Sequence, residues 1–187
     1  MDLNELKEKC EQCRACPLWE TRKNLVFGAG NQNADILFVG EAPGETEDET
    51  GVPFVGRAGK LFDKYLEAVG IKRDDVYIAN MLKCRPPKNR DPQPSEQDAC
   101  IGFLREQTRL ISPKMIVCLG RISAMRIISP DFKITRDHGV FHERKGVILT
   151  AVYHPSLLLR DPRRKDEMLA DMLKIKAKAD ELSGGGN

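Results

Sequence analysis

No stretch of this chain approaches the ~20 consecutive apolar residues that a bilayer-crossing helix needs. The opening MDLNELKEKCEQC also lacks the apolar core of a secretory signal. A cytoplasmic protein that does not span a membrane is therefore the default expectation. Excess charge of one sign is missing too. The net charge of +2 does not by itself announce a nucleic-acid binder. Neither GxxxxGK[ST] nor GxGxxG occurs, and GRAGKL lacks the hydroxyl that a P-loop places on magnesium, which argues against a nucleotide phosphate site. There is no GxSxG elbow, and Ser156 follows His154 too closely for a catalytic triad. Internal repeats and long linkers are absent.

What is there begins with size. With 187 residues, 41% hydrophobic and 31% charged, the chain reads as one domain over 1–187 with a substantial core. Its six cysteines are not expected to form disulfides where thiols are kept reduced. Cys10, Cys13 and Cys16 recur at CxxCxxC spacing, which favours metal ligation over redox bridging. Cys118 sits in an apolar run and reads as inert core. Charge is segregated: acids crowd 41–49, and bases gather in KCRPPKNR (83–90) and LRDPRRK (159–165). That pattern suits either a basic face along a phosphate backbone or solvated loops.

Four short apolar, β-branched runs stand out: DILFVG (35–40), DVYIAN (75–80), KMIVCLG (114–120) and VILTAVYH (147–154). A cysteine-bearing N-terminal helical segment (1–20) precedes them, with helical composition over 2–16 ending at Cys16-Pro17. Between them lie GRAGKLFDKYLEAVG, with Leu61, Phe62, Tyr65, Leu66 and Val69 on one face, then SEQDACIGFLREQTRLI and RISAMRIIS. Ser95 and Asp98 form a capping-box-like pair after Pro94. A last amphipathic helix, roughly 162–182, runs into a flexible tail, 183–187. Strands alternating with helices imply a three-layer α/β/α domain around a four-stranded parallel sheet.

In such sheets ligands bind outside the carboxyl ends of the strands. Those ends carry Glu41, Asn80, Gly120 and His154-Pro155-Ser156. The loop GEAPGETEDETGVPFVGRAG (Gly40–Gly59) holds five carboxylates unsuited to phosphate, and Phe54, read as an exposed aromatic. A carboxylate can steady a cation, a histidine can donate to a departing anion, an amide can read a base edge, and an aromatic can stack on it. That set suits N-glycosidic hydrolysis. His138 and His142 have no such context and read as surface residues.

GEAPGETED with GVPFVGRAGK, VYIANMLKCRPP and YHPSLLLRDPR, in that order and with the cysteine spacing, resemble family 4 uracil-DNA glycosylases, the iron–sulfur branch of their superfamily. The resemblance spans nearly the whole chain. It implies a monofunctional enzyme that hydrolyses the glycosidic bond of flipped deoxyuridine, in single- or double-stranded DNA, at the start of base excision repair. By position it makes Glu41 the residue that positions water or steadies the oxocarbenium ion, and His154 the donor to the uracil anion. The uracil pocket would comprise Gly40, Ala42, Gly44, Glu47, Phe54 and Asn80. Phe54 would stack on the base, Asn80 would read its N3–H and O4 edge, and Glu47 would wall off the thymine methyl.

The base must leave the stack to be reached. Leu157 to Leu159, Leu158 at their centre, are expected either as a wedge into the vacated stack or as a buried helix start. Lys88, Ser156, Arg160 and Arg163 are expected on phosphates. The family pattern selects Cys13, Cys16, Cys84 and Cys100 for a structural [4Fe–4S] cluster, with Cys10 as a spare thiol; spacing alone leaves zinc as the rival metal. The region CRPPKNRDPQPSEQDAC contains no histidine, and no lysine stands convincingly at the rim, so neither covalent capture of DNA nor strand cleavage is expected. The chain is expected to be a monomer. A sliding clamp is a partner the family allows, but no clamp-binding peptide is evident. The competing function is a non-catalytic, redox-sensing or nucleic-acid-binding iron–sulfur protein on the same fold.

Overall fold

The four apolar runs become the middle of one sheet. In the computed structural model, which describes residues 1–184, the first elements are α1 (Leu3–Glu11), β1 (Ala29–Gly30), β2 (Ile36–Gly40), α2 (Glu45–Thr50), α3 (Arg57–Ala68), β3 (Tyr77–Asn80) and α4 (Pro94–Ile111). They are followed by β4 (Met115–Leu119), α5 (Arg121–Ile127), α6 (Ile134–Asp137), β5 (His142–Arg144), β6 (Val147–Val152), α7 (Pro155–Arg160) and α8 (Lys165–Gly184). Among the described residues the sheet has six strands, ordered β1-β3-β2-β4-β6-β5. The inner four are parallel, in a register that pairs Phe38 with Ile78 and Val117, and Val117 with Thr150.

The expected four-stranded sheet is therefore corrected to six. The two edges, β1 on β3 and β5 on β6, are antiparallel. Each edge strand is only two or three residues long and exposed or half-buried, so neither leaves an apolar run to read. The β5–β6 turn is made by Lys145 and Gly146, both at positive φ (51° and 79°), the conformation that a tight two-residue hairpin requires.

Alternation along the strands feeds two cores. Leu37, Val39, Ala79, Ile116, Cys118 and Ala151 meet Leu3 and Leu6 of α1, Ile101 and Leu104 of α4, and Ala124 of α5. Phe38, Ile78, Val117 and Val152 meet Phe62 and Leu66 of α3, Leu158 of α7, and Met168, Met172 and Ile175 of α8. Each fully buried side chain of this size is worth about 1.5–3 kcal/mol against solvent exposure. Helices thus cover both faces, as a parallel sheet demands. No helix among the described residues is long and apolar enough to cross a membrane.

Boundaries shift where capping decides them. The N-terminal helix stops at Glu11, not Cys16, and starts at a reciprocal Asp2–Glu5 capping box, which leaves Cys13 and Cys16 in the following loop. The start of α4 lies two residues before the expected pair: Glu96 Oε2 accepts from Gln93 N at 2.9 Å, while Asp98 instead pairs with Arg126. Of the expected tail 183–187, Ser183 and Gly184 end α8, and 185–187 lie outside the described residues.

Candidate active site

Parallel register brings four strand ends to one rim, and a cavity of about 550 Å³ opens there. Glu41, Phe54, Asn80, Gly120 and His154 all line it. At Gly40 any Cβ would collide with Asn80 Oδ1 and the Phe54 ring, so glycine is what lets these two side chains share the floor. Asn80 is 2% exposed, and its Oδ1 is buried without a hydrogen-bond partner. An orphaned buried acceptor costs about 1–3 kcal/mol, which marks this amide as one built to meet something from outside the chain.

Glu41 follows β2 and is half-buried. Burial, with Asp91 adding repulsion and Arg121 partly opposing it, pushes its carboxyl up to about 7. Arg121 Nη2 donates to Asp91 Oδ2 at 3.1 Å across the mouth. Sequence reasoning missed both partners: Arg121 only follows Gly120, and Asp91 sits in a Pro-rich loop, so neither carries a local signal.

His154 caps α7 after the last strand. Loss of solvation, reinforced by Arg160 and opposed by Glu47, pushes its imidazole down to about 4. Its Nδ1 accepts from the main-chain N–H of Ser156 at 3.1 Å and lies 2.7 Å from Ser156 Oγ. Because a main-chain N–H can only donate, the neutral ring carries its proton on Nε2. Ser156, expected on a phosphate, thus also fixes this tautomer.

The acidic loop now has an account. Glu45, Glu47 and Asp48 fall in the first turn of α2, where carboxylates oppose the helix dipole favourably. Asp48 is buried and accepts from Lys23 N at 2.9 Å, and Glu49 pairs with Lys23. Glu47 lines the cavity, but its Oε1 also accepts from Val55 N (3.0 Å) and Gly56 N (2.8 Å), so it staples the loop carrying Phe54. Ala42 and Gly44 line the cavity as expected.

Several expectations are corrected. Phe54 is not exposed but 5% accessible, packed between Phe62 and the His154 ring, whose centroids lie 5.8 and 5.7 Å away. Leu158 cannot wedge into DNA: α7 turns it into the core at 0% exposure, whereas Leu159 is 40% exposed and Leu157 lines the cavity. Arg160 lines the cavity; Arg163 is not part of its lining and is exposed, paired with Asp161 at 2.8 Å. Lys88 is exposed in the turn beside the cavity's Asn89 and Arg90. His138 is not a surface residue. Its Nδ1 lies 2.5 Å from Asp171, its Nε2 3.3 Å from Glu167, and its ring 4.7 Å from that of Tyr153. His142 is exposed, as read. Cys118 is buried, and burial pushes its thiol up to about 12.

A second, smaller cavity gathers thiols. Cys10, Cys13, Cys16, Cys84 and Cys100 all line it, together with Arg22 and Lys83. Arg22 Nη1 lies 3.1 Å from Cys84 Sγ. Burial pushes Cys10 up to about 12 and Cys100 to about 11, with Lys83 opposing both. Lys83, one of the bases expected on a basic face or a solvated loop, is instead buried, and donates to the carbonyls of Asn80 (2.9 Å) and Phe27 (3.1 Å) and to Gln107. Among the described residues no three His, Cys, Asp or Glu side chains converge as ligands of a single metal ion.

Comparisons with known proteins give the chain a family. Residues 27–175 match the model of the uracil DNA glycosylase superfamily. A type-4 uracil-DNA glycosylase of Archaeoglobus fulgidus is 45% identical over 181 residues, 92% of this chain and 91% of the relative. Type-4 uracil-DNA glycosylases of Thermotoga maritima and Sulfurisphaera tokodaii are 44% and 43% identical; the first alignment covers 92% of either chain, the second 93% of this chain and 83% of the relative. The chain belongs to the uracil DNA glycosylase superfamily, alongside its type-4 members.

Proposed function

We propose that this chain is a monofunctional uracil-DNA glycosylase that hydrolyses the bond between uracil and deoxyribose in DNA, leaving an abasic site at the start of base excision repair. The observation that carries the reading is the meeting of Glu41, Asn80 and His154 in one cavity at the strand ends, in a chain of this family. The alternative, a nucleic-acid-binding or redox-sensing protein without catalysis, leaves the meeting of Glu41 with a neutral, tautomer-locked His154 in one cavity without a task.

In the reaction the flipped base enters beneath Phe54 and stacks on it. Asn80 pairs with the N3–H and O4 edge; cytosine offers the reverse donor–acceptor order there and leaves a buried polar group unpaired. As the glycosidic bond breaks, the sugar gains positive charge and the base negative charge. The Glu41 carboxylate stabilises the sugar and orients the attacking water. His154 Nε2–H donates to O2 of the leaving anion, and because the ring starts neutral it stabilises that charge by a hydrogen bond. Glu47 limits room at C5. Leu157 and Leu159, in place of Leu158, are the apolar groups that fill the vacated stack. Lys88, Ser156 and Arg160 contact phosphates as a monomer engages the strand, in a reducing cytoplasm.

The cysteine cavity fits an iron–sulfur cluster by its donor set: Cys13, Cys16, Cys84 and Cys100 line one cavity, and Arg22 supplies a donor beside sulfur. We infer that these four hold a [4Fe–4S] cluster and that Cys10 stays outside the ligand set. With these four as ligands, the loop after α1 would be tied to the loop after β3 and to α4, a structural role, since hydrolysis needs no electron. Iron and sulfide analysis after anaerobic purification tests this, and a colourless protein with one zinc overturns it.

The activity is tested by incubating purified protein with uracil-containing single- and double-stranded oligonucleotides and scoring alkali-labile sites. Cleavable sites are expected with both substrates. None with either, at enzyme in excess, would move the chain to the non-catalytic reading.

A further inference from the structure

Phe54 holds a conformation that its own chemistry disfavours. Its φ of 51° is left-handed, uncommon for any residue but glycine and a clear outlier for a bulky one. Such strain persists only where the surroundings enforce it. One enforcing group is already described, Glu47 Oε1, which takes the N–H groups of Val55 and Gly56; a second is Gly59 of α3, so close that any Cβ there would collide with the Phe54 carbonyl.

The third is Arg73, in the turn before β3. Its Nη1 donates to the carbonyl of Phe54 at 3.0 Å and its Nη2 to the carbonyl of Pro53 at 2.6 Å. Asp63 of α3 holds the same guanidinium, accepting from Nη1 at 2.5 Å. Two consecutive carbonyls on one planar fork fix the peptide plane between Pro53 and Phe54, and with it the direction in which the ring leaves the backbone. Lysine, a point charge with one nitrogen, can meet carbonyls but lacks the planar fork that fixes their relative direction.

We propose that Arg73, oriented by Asp63, is a positioning residue that clamps the strained Phe54 backbone and so sets the plane of the ring on which the base stacks. The proposal rests on the stacking role given to Phe54 above. Arg73 does not line the cavity, so any effect on base binding passes through Phe54.

The probe is free uracil, measured as a competitive inhibitor and by direct titration, in a cycle of Phe54→Ala, Arg73→Met and the double variant. Phe54→Ala is expected to weaken uracil binding roughly five- to a hundredfold, as loss of one aromatic–base stack does. Arg73→Met is expected to weaken it about fivefold in the native background and not at all in the Phe54→Ala background. Arg73→Lys should recover part of the loss, and Asp63→Asn should lose less than Arg73→Met. Equal effects of Arg73→Met in both backgrounds, or native uracil affinity despite a lower Tm, would show an ordinary structural arginine and overturn the proposal. Native uracil affinity in Phe54→Ala would instead overturn the stacking role on which it rests.

Discussion

The two cavities of this protein are assembled by opposite means. At the strand ends, Glu41, Asn80 and His154 come from positions far apart in the chain, yet each is delivered by the end of a parallel strand. In the cysteine cavity the thiols come from α1, from the irregular chain after it, from the loop after β3 and from α4, and no shared register brings them together. The first site inherits its geometry from a sheet that folds for other reasons. With the cluster proposed above, the second would be held together by what it binds. Changes at the first should therefore spare stability and abolish chemistry, and changes at the second should do the reverse.

The largest effect should be at the strand ends. His154→Gln or Asn80→Ala is expected to lower kcat/KM by about 10²–10⁴-fold with Tm nearly unchanged, measured on a uracil oligonucleotide and by thermal melting. A Tm loss as large as that from a cysteine change would break the contrast. Next, Cys84→Ser should lower Tm by on the order of 10 °C, equivalent to a few kcal/mol in a chain of this length, and remove bound iron, while the remaining folded protein keeps most of its kcat.

A smaller effect separates the groups around Glu41. With its carboxyl pushed up to about 7 and required as the anion, kcat/KM should rise with pH through that value. Asp91→Asn removes a like charge and should shift this limb to lower pH by roughly half a unit; Arg121→Gln removes an opposite charge and should shift it upward. Opposite movement in either variant rules out this electrostatic account. The smallest effect is at the mouth: Arg160→Ala should reduce the salt dependence of DNA binding by about one unit of slope without altering discrimination between uracil and cytosine.

The same contrast explains what was legible. Strand ends are marked by where an apolar run stops, so Glu41, Asn80 and His154 could be placed on one rim from the sequence. Exposure within the loops could not be. Phe54 was misjudged because nothing local shows that Glu47, Gly59 and Arg73 fold its segment back over α3. Leu158 went wrong by one position: three consecutive leucines on a short helix point in three directions, and sequence does not say which faces the sheet. His138 and Lys83 look like surface residues in print because their partners, Asp171 and Gln107, lie 33 and 24 residues away. The cysteine set needed a family resemblance, since thiols in loops obey no period.

The short outer strands carry a consequence for life at high concentration. A sheet with a long, apolar free edge is a template on which other chains can stack into aggregates. Here one margin ends after two residues, Ala29 and Gly30, and the other is the exposed, charged run His142-Glu143-Arg144 turned back by Lys145-Gly146. Neither margin offers a neighbour a surface worth pairing with. A protein with a large open mouth and a strained loop thus keeps the rest of its sheet from giving strangers anything to hold.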